Sequence, residues 1–288
     1  MFDSRLYGRW GEMKILSIVI VWTLSISLAS CVFLNKGDQA DQQLVQLLML
    51  KSGLDKQLDH YPRMIQSGFE QAQTNSQLQI FTAEEVQMFV GMMGSAYESG
   101  KLKNSIQLSL SNSLSSTEIQ ISLNWLGSPL GEKITKLEED TSTPEAFEES
   151  QAMADRFVND LARIALITKL NRVMIVTEAA MEAAKYTSVT LLTAVYAEYP
   201  ADARPSSEEI IDIAEKNTNE LRPKLEQMTQ NHLLYTYRSV SNEDLEKYIS
   251  FGESGAGSHY VAACHNAIRE ALLQATRDFG AQIRKRTI

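Results

Sequence analysis

Cys31 is the residue whose chemistry the sequence frames most clearly. It closes the tetrapeptide Leu28-Ala29-Ser30-Cys31, the pattern of a bacterial lipobox. The cysteine is required there because a thiolate is the nucleophile that takes the diacylglyceryl group. A plain secretory signal cut after Ala29 is the competing reading, since Ser27 and Ala29 also fit small-x-small. The lipobox is preferred because it stands directly behind an apolar run. Val32 rather than Asp follows the cysteine, which suits an outer-membrane rather than an inner-membrane destination in a Gram-negative cell.

Other candidates for chemistry are sparse. The four histidines are His60, His232, His259 and His265, with no HExxH, CxxC or His pair at i and i+4. His259, Cys264 and His265 invite a metal reading. On a helix, however, steps of five and six residues turn by ~500° and ~600°, so the three do not share a face. Gly252, Gly255 and Gly257 resemble a phosphate loop but follow a helical pattern instead of a strand, so a helix-breaking turn accounts for them. No GxSxG elbow or Walker loop occurs. Carboxylates are plentiful, yet the sequence selects no catalytic pair; Glu138-Glu139-Asp140 and Glu145, Glu148 and Glu149 read as a solvated face with favourable charge at a helix start. No catalytic, metal or cofactor residue is therefore expected, and Cys31 is the one assigned site.

The segment before Cys31 fits a leader. Arg5, Arg9 and Lys14 precede the uncharged run Ile15–Leu28, which is shorter than the ~20 residues of a membrane-spanning helix. Met13 is an alternative start. Residues 1–30 are read as a lipoprotein-type signal peptide and 31–40 as a tether, with lipid chains anchoring the protein without spanning the bilayer. The chain carries a net charge of −9, and the leader contributes none of that excess. An acidic body excludes an electrostatic case for nucleic acid or anionic lipid. Cys264 has no partner cysteine once Cys31 is acylated, and its setting in Val261-Ala262-Ala263-Cys264 suggests a buried thiol.

The elements that must position these residues are helical in period. Leu44, Leu47, Leu48, Leu54 and Leu58 predict a helix over 41–58 that Gly53 weakens but does not end. His60-Tyr61-Pro62 reads as a break, with Pro62 opening a helix striped by Met64, Ile65, Phe69 and Ala72. Thr82 with Glu85 is a capping box ahead of Val86, Phe89, Val90 and Met93. Met88, Met92 and Met93 form a Met-rich patch, read as core packing first and as a soft ligand groove second. A long helix is expected from Ala146 to about Leu170, another over Met174–Glu198, and a linker at Ala201–Ser207. A stripe then runs from Ile210 through Leu225 and His232 to Tyr235, kinked by Pro223, with His232 a core or interface residue. The last helix spans about Ala256 to Arg286.

Residues 105–125 are ambiguous taken alone: Ile106, Leu108 and Leu110 alternate as in a strand. Ser115-Ser116-Thr117-Glu118, however, is a capping box. Moreover, Leu114–Leu137 aligns with Val240–Ala263: Ser115 on Ser241, Glu118 on Asp244, Trp125 on Phe251, Ser128 on Ser254, Gly131 on Gly257. The second segment is helical in spacing, so both are read as helix-turn-helix units, with Thr82–Ser95 a fainter third.

Three segments carry a family resemblance: LVQLLMLKSGLDKQLDHYPRMIQSGF, LSSTEIQISLNWLGSPLGEKITKLE and SNEDLEKYISFGESGAGSHYVAACHNAIREAL. Together they resemble domain of unknown function 2059, and the likeness spans most of residues 42–275. The family pattern Ser-Pro-x-Gly-x-Lys stands here as Ser128-Pro129-Leu130-Gly131-Glu132-Lys133; the second segment departs from it at Gly255 and His259. The resemblance implies a secreted, mostly helical bacterial protein and brings no catalytic residues.

The chain is accordingly read as all-α, a multi-helix bundle with internally repeated helix-turn-helix units, divided into helical halves at 41–199 and 200–288. The expected function is that of an outer-membrane lipoprotein facing the periplasm. Its partners would be the membrane, through the lipid at Cys31, and another envelope protein or a second copy. The alternatives are a small-molecule or lipid-binding bundle built around Met88–Met93 and, behind it, a carboxylate-dependent envelope hydrolase.

Overall fold

The structure is a computed structural model and describes residues 42–75, 81–157, 159–197 and 199–286. Cys31 and the leader lie outside these. Among the described residues every regular element is helical. In chain order they are α1 (Gln42–Lys51), α2 (Leu54–Asn75), α3 (Ala83–Ala96), α4 (Ser99–Ser113), α5 (Ser116–Leu126), α6 (Pro129–Thr141), α7 (Pro144–Ala152), α8 (Leu161–Met174), α9 (Val176–Ala197), α10 (Ser207–Thr236), α11 (Asn242–Glu253) and α12 (Gly255–Arg286).

Local chemistry sets most boundaries. Thr82, Ser115 and Ser206 each close a reciprocal capping box on α3, α5 and α10, with Glu85, Glu118 and Glu209 reaching back. Residues 105–125 are helical: a capped break at Leu114–Ser115 separates α4 from α5, and the alternation of Ile106, Leu108 and Leu110 is incidental, with Ile106 and Leu110 buried and Leu108 exposed.

Two expected boundaries are corrected. Gly53 ends α1, because its φ of 74° is a left-handed conformation that breaks the hydrogen-bond ladder. Pro62 does not open a helix; it lies inside α2. Proline removes a backbone donor and disfavours a helix interior. The helix continues because Tyr61 and Ile65, each 2 % exposed, pin both sides of the proline into the core. Likewise the expected helix over 146–170 is two, α7 and α8, separated by a 3-10 turn at Ala154–Arg156. Asp160 restarts the helix by accepting from the Arg163 backbone N–H at 3.0 Å. Ile175, at φ 46°, then separates α8 from α9.

One hydrophobic core runs from Val45 on α1 to Ile283 on α12 and draws on both sides of the 199/200 division. Smaller clusters gather Phe147, Met181 and Leu225, and Val189, Leu192 and Ile210. The helix α1 lies on α4 and α5; α8 lies on α10 and α11; α9 lies along α10; and α12 packs across α3, α4, α5 and α9.

The turns α5–α6 and α11–α12 are closed alike. Ser128 Oγ donates to the Trp125 carbonyl at 2.6 Å and accepts from the Gly131 N–H at 3.0 Å. Ser254 Oγ donates to the Phe251 carbonyl at 2.7 Å and accepts from the Gly257 N–H at 3.1 Å. A Cβ at Gly131 would sit 2.1 Å from the Trp125 carbonyl oxygen, and one at Gly257 1.9 Å from that of Phe251. Both positions therefore demand glycine because of backbone approach.

Candidate functional site

The residues singled out for chemistry do not converge. His232 is buried on α10, its Nδ1 3.3 Å from Ser150 Oγ and its ring 5.6 Å from that of Phe147. Burial pushes its pKa down to about 4, so it is a neutral core side chain. His259 is exposed and pairs with Glu118 at 2.5 Å. Cys264 is fully buried, and desolvation pushes its thiol up to about 12, which leaves no thiolate for nucleophilic work. His265 is buried on another side of α12, near Glu182. The glycine run serves packing: a Cβ at Gly252 would meet Val173 and Met174 of α8. In the Met-rich patch, Met93 is buried and Met88 and Met92 pack against the core, an arrangement that favours packing over a groove.

The site with unusual electrostatics is one that sequence reading missed. Glu138 was expected on a solvated acidic face. Instead it turns inward from α6, and its Oε1 accepts from the hydroxyls of Tyr237 at 2.6 Å and Tyr248 at 3.0 Å. Desolvation raises its pKa to about 7, against the lowering effect of the two tyrosines. Its sequence neighbours go elsewhere: Glu139 pairs with Lys56 at 2.7 Å, and Asp140 with Lys136. The spacing held a signal, since Ile134, Glu138 and Thr141 fall at i, i+4 and i+7 with Ile134 and Thr141 buried.

Aromatic rings wall this centre. Tyr248 meets Tyr237 edge-on at 6.1 Å and stacks on Trp125 at 4.9 Å. Trp125 in turn stacks on Phe251 at 4.3 Å and 10°. The outer side of that stack, with Glu243, Glu246, Lys247 and Ser250, borders an open surface depression. On the same molecule Arg163, buried at the start of α8, donates to Asn242 Oδ1 at 2.8 Å and to the Tyr237 carbonyl, fixing the α10–α11 corner that carries Tyr237.

A second polar region lies between α2, α9 and α12. Tyr61 Oη, Gln57 Oε1, Glu182 Oε2 and both ring nitrogens of His265 are buried without a hydrogen-bond partner among the described residues. Glu182 keeps one bond, accepting from Lys185 at 2.9 Å. Burial above all, with Tyr97, Tyr186 and Glu182 nearby, holds the Tyr61 hydroxyl well above its usual pKa. By contrast the neighbouring Tyr97 hydroxyl is satisfied, 2.7 Å from both Thr190 and Thr276.

Chemically, Glu138 can hold or release one proton near neutrality, but its partners are two phenols rather than a second carboxyl, and burial holds the Tyr248 hydroxyl well above its usual pKa. Among the described residues no group of three His, Cys, Asp or Glu side chains is arranged to hold a metal ion. No family model, curated protein or solved structure matches this chain.

Proposed function

We propose that this chain is an envelope lipoprotein, acylated at Cys31, whose helical body works as a protein-binding or self-associating module at the outer membrane. The observation that carries the reading is Leu28-Ala29-Ser30-Cys31 placed behind an uncharged apolar run and eleven residues ahead of α1. Among the described residues no helix is long and apolar enough to cross a membrane. The tyrosine-held Glu138 and the desolvated Cys264 thiol favour binding over catalysis. Membership of the domain of unknown function 2059 family belongs to the same proposal and rests on the three segments quoted above.

The body is further proposed to be two related units, 42–141 and 161–286. Gly53 and Ile175 each end a helix in the left-handed conformation, and each is followed directly by a helix of 22 residues. Capping boxes at Thr82 and Ser206 then open the next helix in each unit, and the two matched turns follow. Aligned positions also meet across the molecule: Trp125 stacks on Phe251 and Glu118 pairs with His259, while Asp244, its carboxyl lowered mainly by bonds to Ser241 and Lys247, also feels the Lys133 charge.

Palmitate labelling in a Gram-negative host, comparing the native chain with Cys31→Ala, tests the anchor. Label lost with the substitution supports it; equal absence of label from both forms refutes it.

A further inference from the structure

The first unit differs from the second on one face. Matching Gly53 to Ile175 places Val45 on Ile167 and Leu48 on Leu170, and all four are fully buried, so the register is sound. In that register the outward residues diverge. Leu47 and Leu50, 41 % and 56 % exposed, stand where the second unit has Lys169 and Arg172. In the register that puts Ser115 on Ser241, Ile121, 45 % exposed on α5, stands where α11 has Lys247. Leu108 on α4 is exposed, whereas its counterpart Leu234 is buried.

Charge diverges in the same direction. In a protein of net charge −9, α1, α4 and α5 hold a single carboxylate, Glu118, and it is engaged by Ser115 and His259. The α11 helix alone holds Glu243, Asp244, Glu246 and Glu253. The helices α1, α4 and α5 bring few acids of their own; the carboxylates of Glu132, Glu270, Asp55 and Asp59 reach Lys51, Ser109 and Lys103 from α6, α12 and α2. The isolated large apolar side chains between them suit a lipid headgroup layer, into which leucines insert. Moreover α1 is the first described helix after Cys31. The chain from Cys31 to Gln42 reaches about 40 Å at most when extended, so the body cannot leave the membrane surface by more than roughly its own width.

We infer that the face formed by α1, α4 and α5, with Leu47, Leu50, Leu108 and Ile121 outward, rests on the lipid bilayer. This builds on the Cys31 anchor proposed above. It leaves the α8–α11 face, with its charged residues, turned to the periplasm for partners.

The test uses the acylated full chain with an environment-sensitive fluorophore attached at Leu50→Cys or Ile121→Cys, and at the matched controls Arg172→Cys or Lys247→Cys. Cys264 stays, because its buried thiol does not label. In vesicles of phosphatidylethanolamine and phosphatidylglycerol, probes at 50 and 121 should lose most of their quenching by aqueous iodide. They should also gain quenching by nitroxide lipids, while probes at 172 and 247 stay unchanged. Equal iodide quenching at all four positions, on protein whose mass shows acyl chains at Cys31, overturns the lipid-facing surface and leaves the anchor standing. A mass without acyl chains overturns the anchor and this inference with it. Probes at 50 and 121 already shielded on the Cys31→Ala form in buffer, with a doubled molecular mass, would identify a second copy as the occupant and overturn the lipid reading.

Discussion

At the scale of single residues, Glu138 and His232 set opposing pH dependences. Glu138 has a folded pKa of about 7 against an ordinary 4.5, so the folded state binds its proton more tightly than the unfolded chain does. Its contribution is therefore full below pH 4.5 and is lost as pH rises towards 7. His232 has a folded pKa of about 4 against 6.5. Its contribution is present above pH 6.5 and is lost as pH falls towards 4. Between these values the two slopes offset one another. Glu138→Gln keeps an acceptor for Tyr237 and Tyr248 and removes the ionisation. It should stabilise the protein by about 3 kcal/mol at pH 8 and by almost nothing at pH 4.5, judged from one pKa unit being about 1.4 kcal/mol. Thermal unfolding of both proteins across that range measures the difference; a constant offset would contradict a titrating Glu138. Sequence reading placed Glu138 outside because it sits in a run of three acids. Charge alone does not say which member of a run faces in; that is decided by Tyr237 and Tyr248, roughly a hundred positions away.

At the scale of elements, the serine-capped turns make a sharper prediction than their loose sequence match suggests. Gly131→Ala and Gly257→Ala each force a methyl into a carbonyl 2.1 or 1.9 Å away and should each cost about 2–3 kcal/mol. Gly255→Ala, where a Cβ meets nothing within 4 Å, should be neutral or stabilising by about 0.5 kcal/mol. Urea unfolding of the three variants separates these outcomes. Ile175→Gly should gain up to about 1 kcal/mol by relieving a left-handed conformation that side chains resist. The capping boxes at Thr82 and Ser115 were legible because a cap is a local hydrogen bond written within four residues. Pro62 and the break at Ala154–Arg156 were not. In the first case buried Tyr61 and Ile65 override a local breaker; in the second, no proline or glycine announces the turn.

At the scale of the whole molecule, the all-helical class was legible from the 3.6-residue spacing of apolar side chains, which needs no knowledge of neighbours. How the helices cross was not, since crossings are fixed by contacts between residues far apart in the chain. The chief example is α12, which spreads over α3, α4, α5 and α9. A protease site inserted at Ala201–Ser206 should therefore yield two fragments that stay together on native gel filtration and part only in denaturant. Fragments that separate in buffer would refute a shared core.

The same helix dictates when this protein can become folded. Tyr97 on the α3–α4 corner finds its partner Thr276 only after 179 further residues have been made. The seat for α12 on α3 and α4 therefore stays open until α12 itself has emerged. Such distant pairing slows folding and prolongs exposure of apolar surface. Under the export proposed above that order is an advantage: the nascent protein cannot lock into its final shape before α12 leaves the ribosome, and so remains threadable until then.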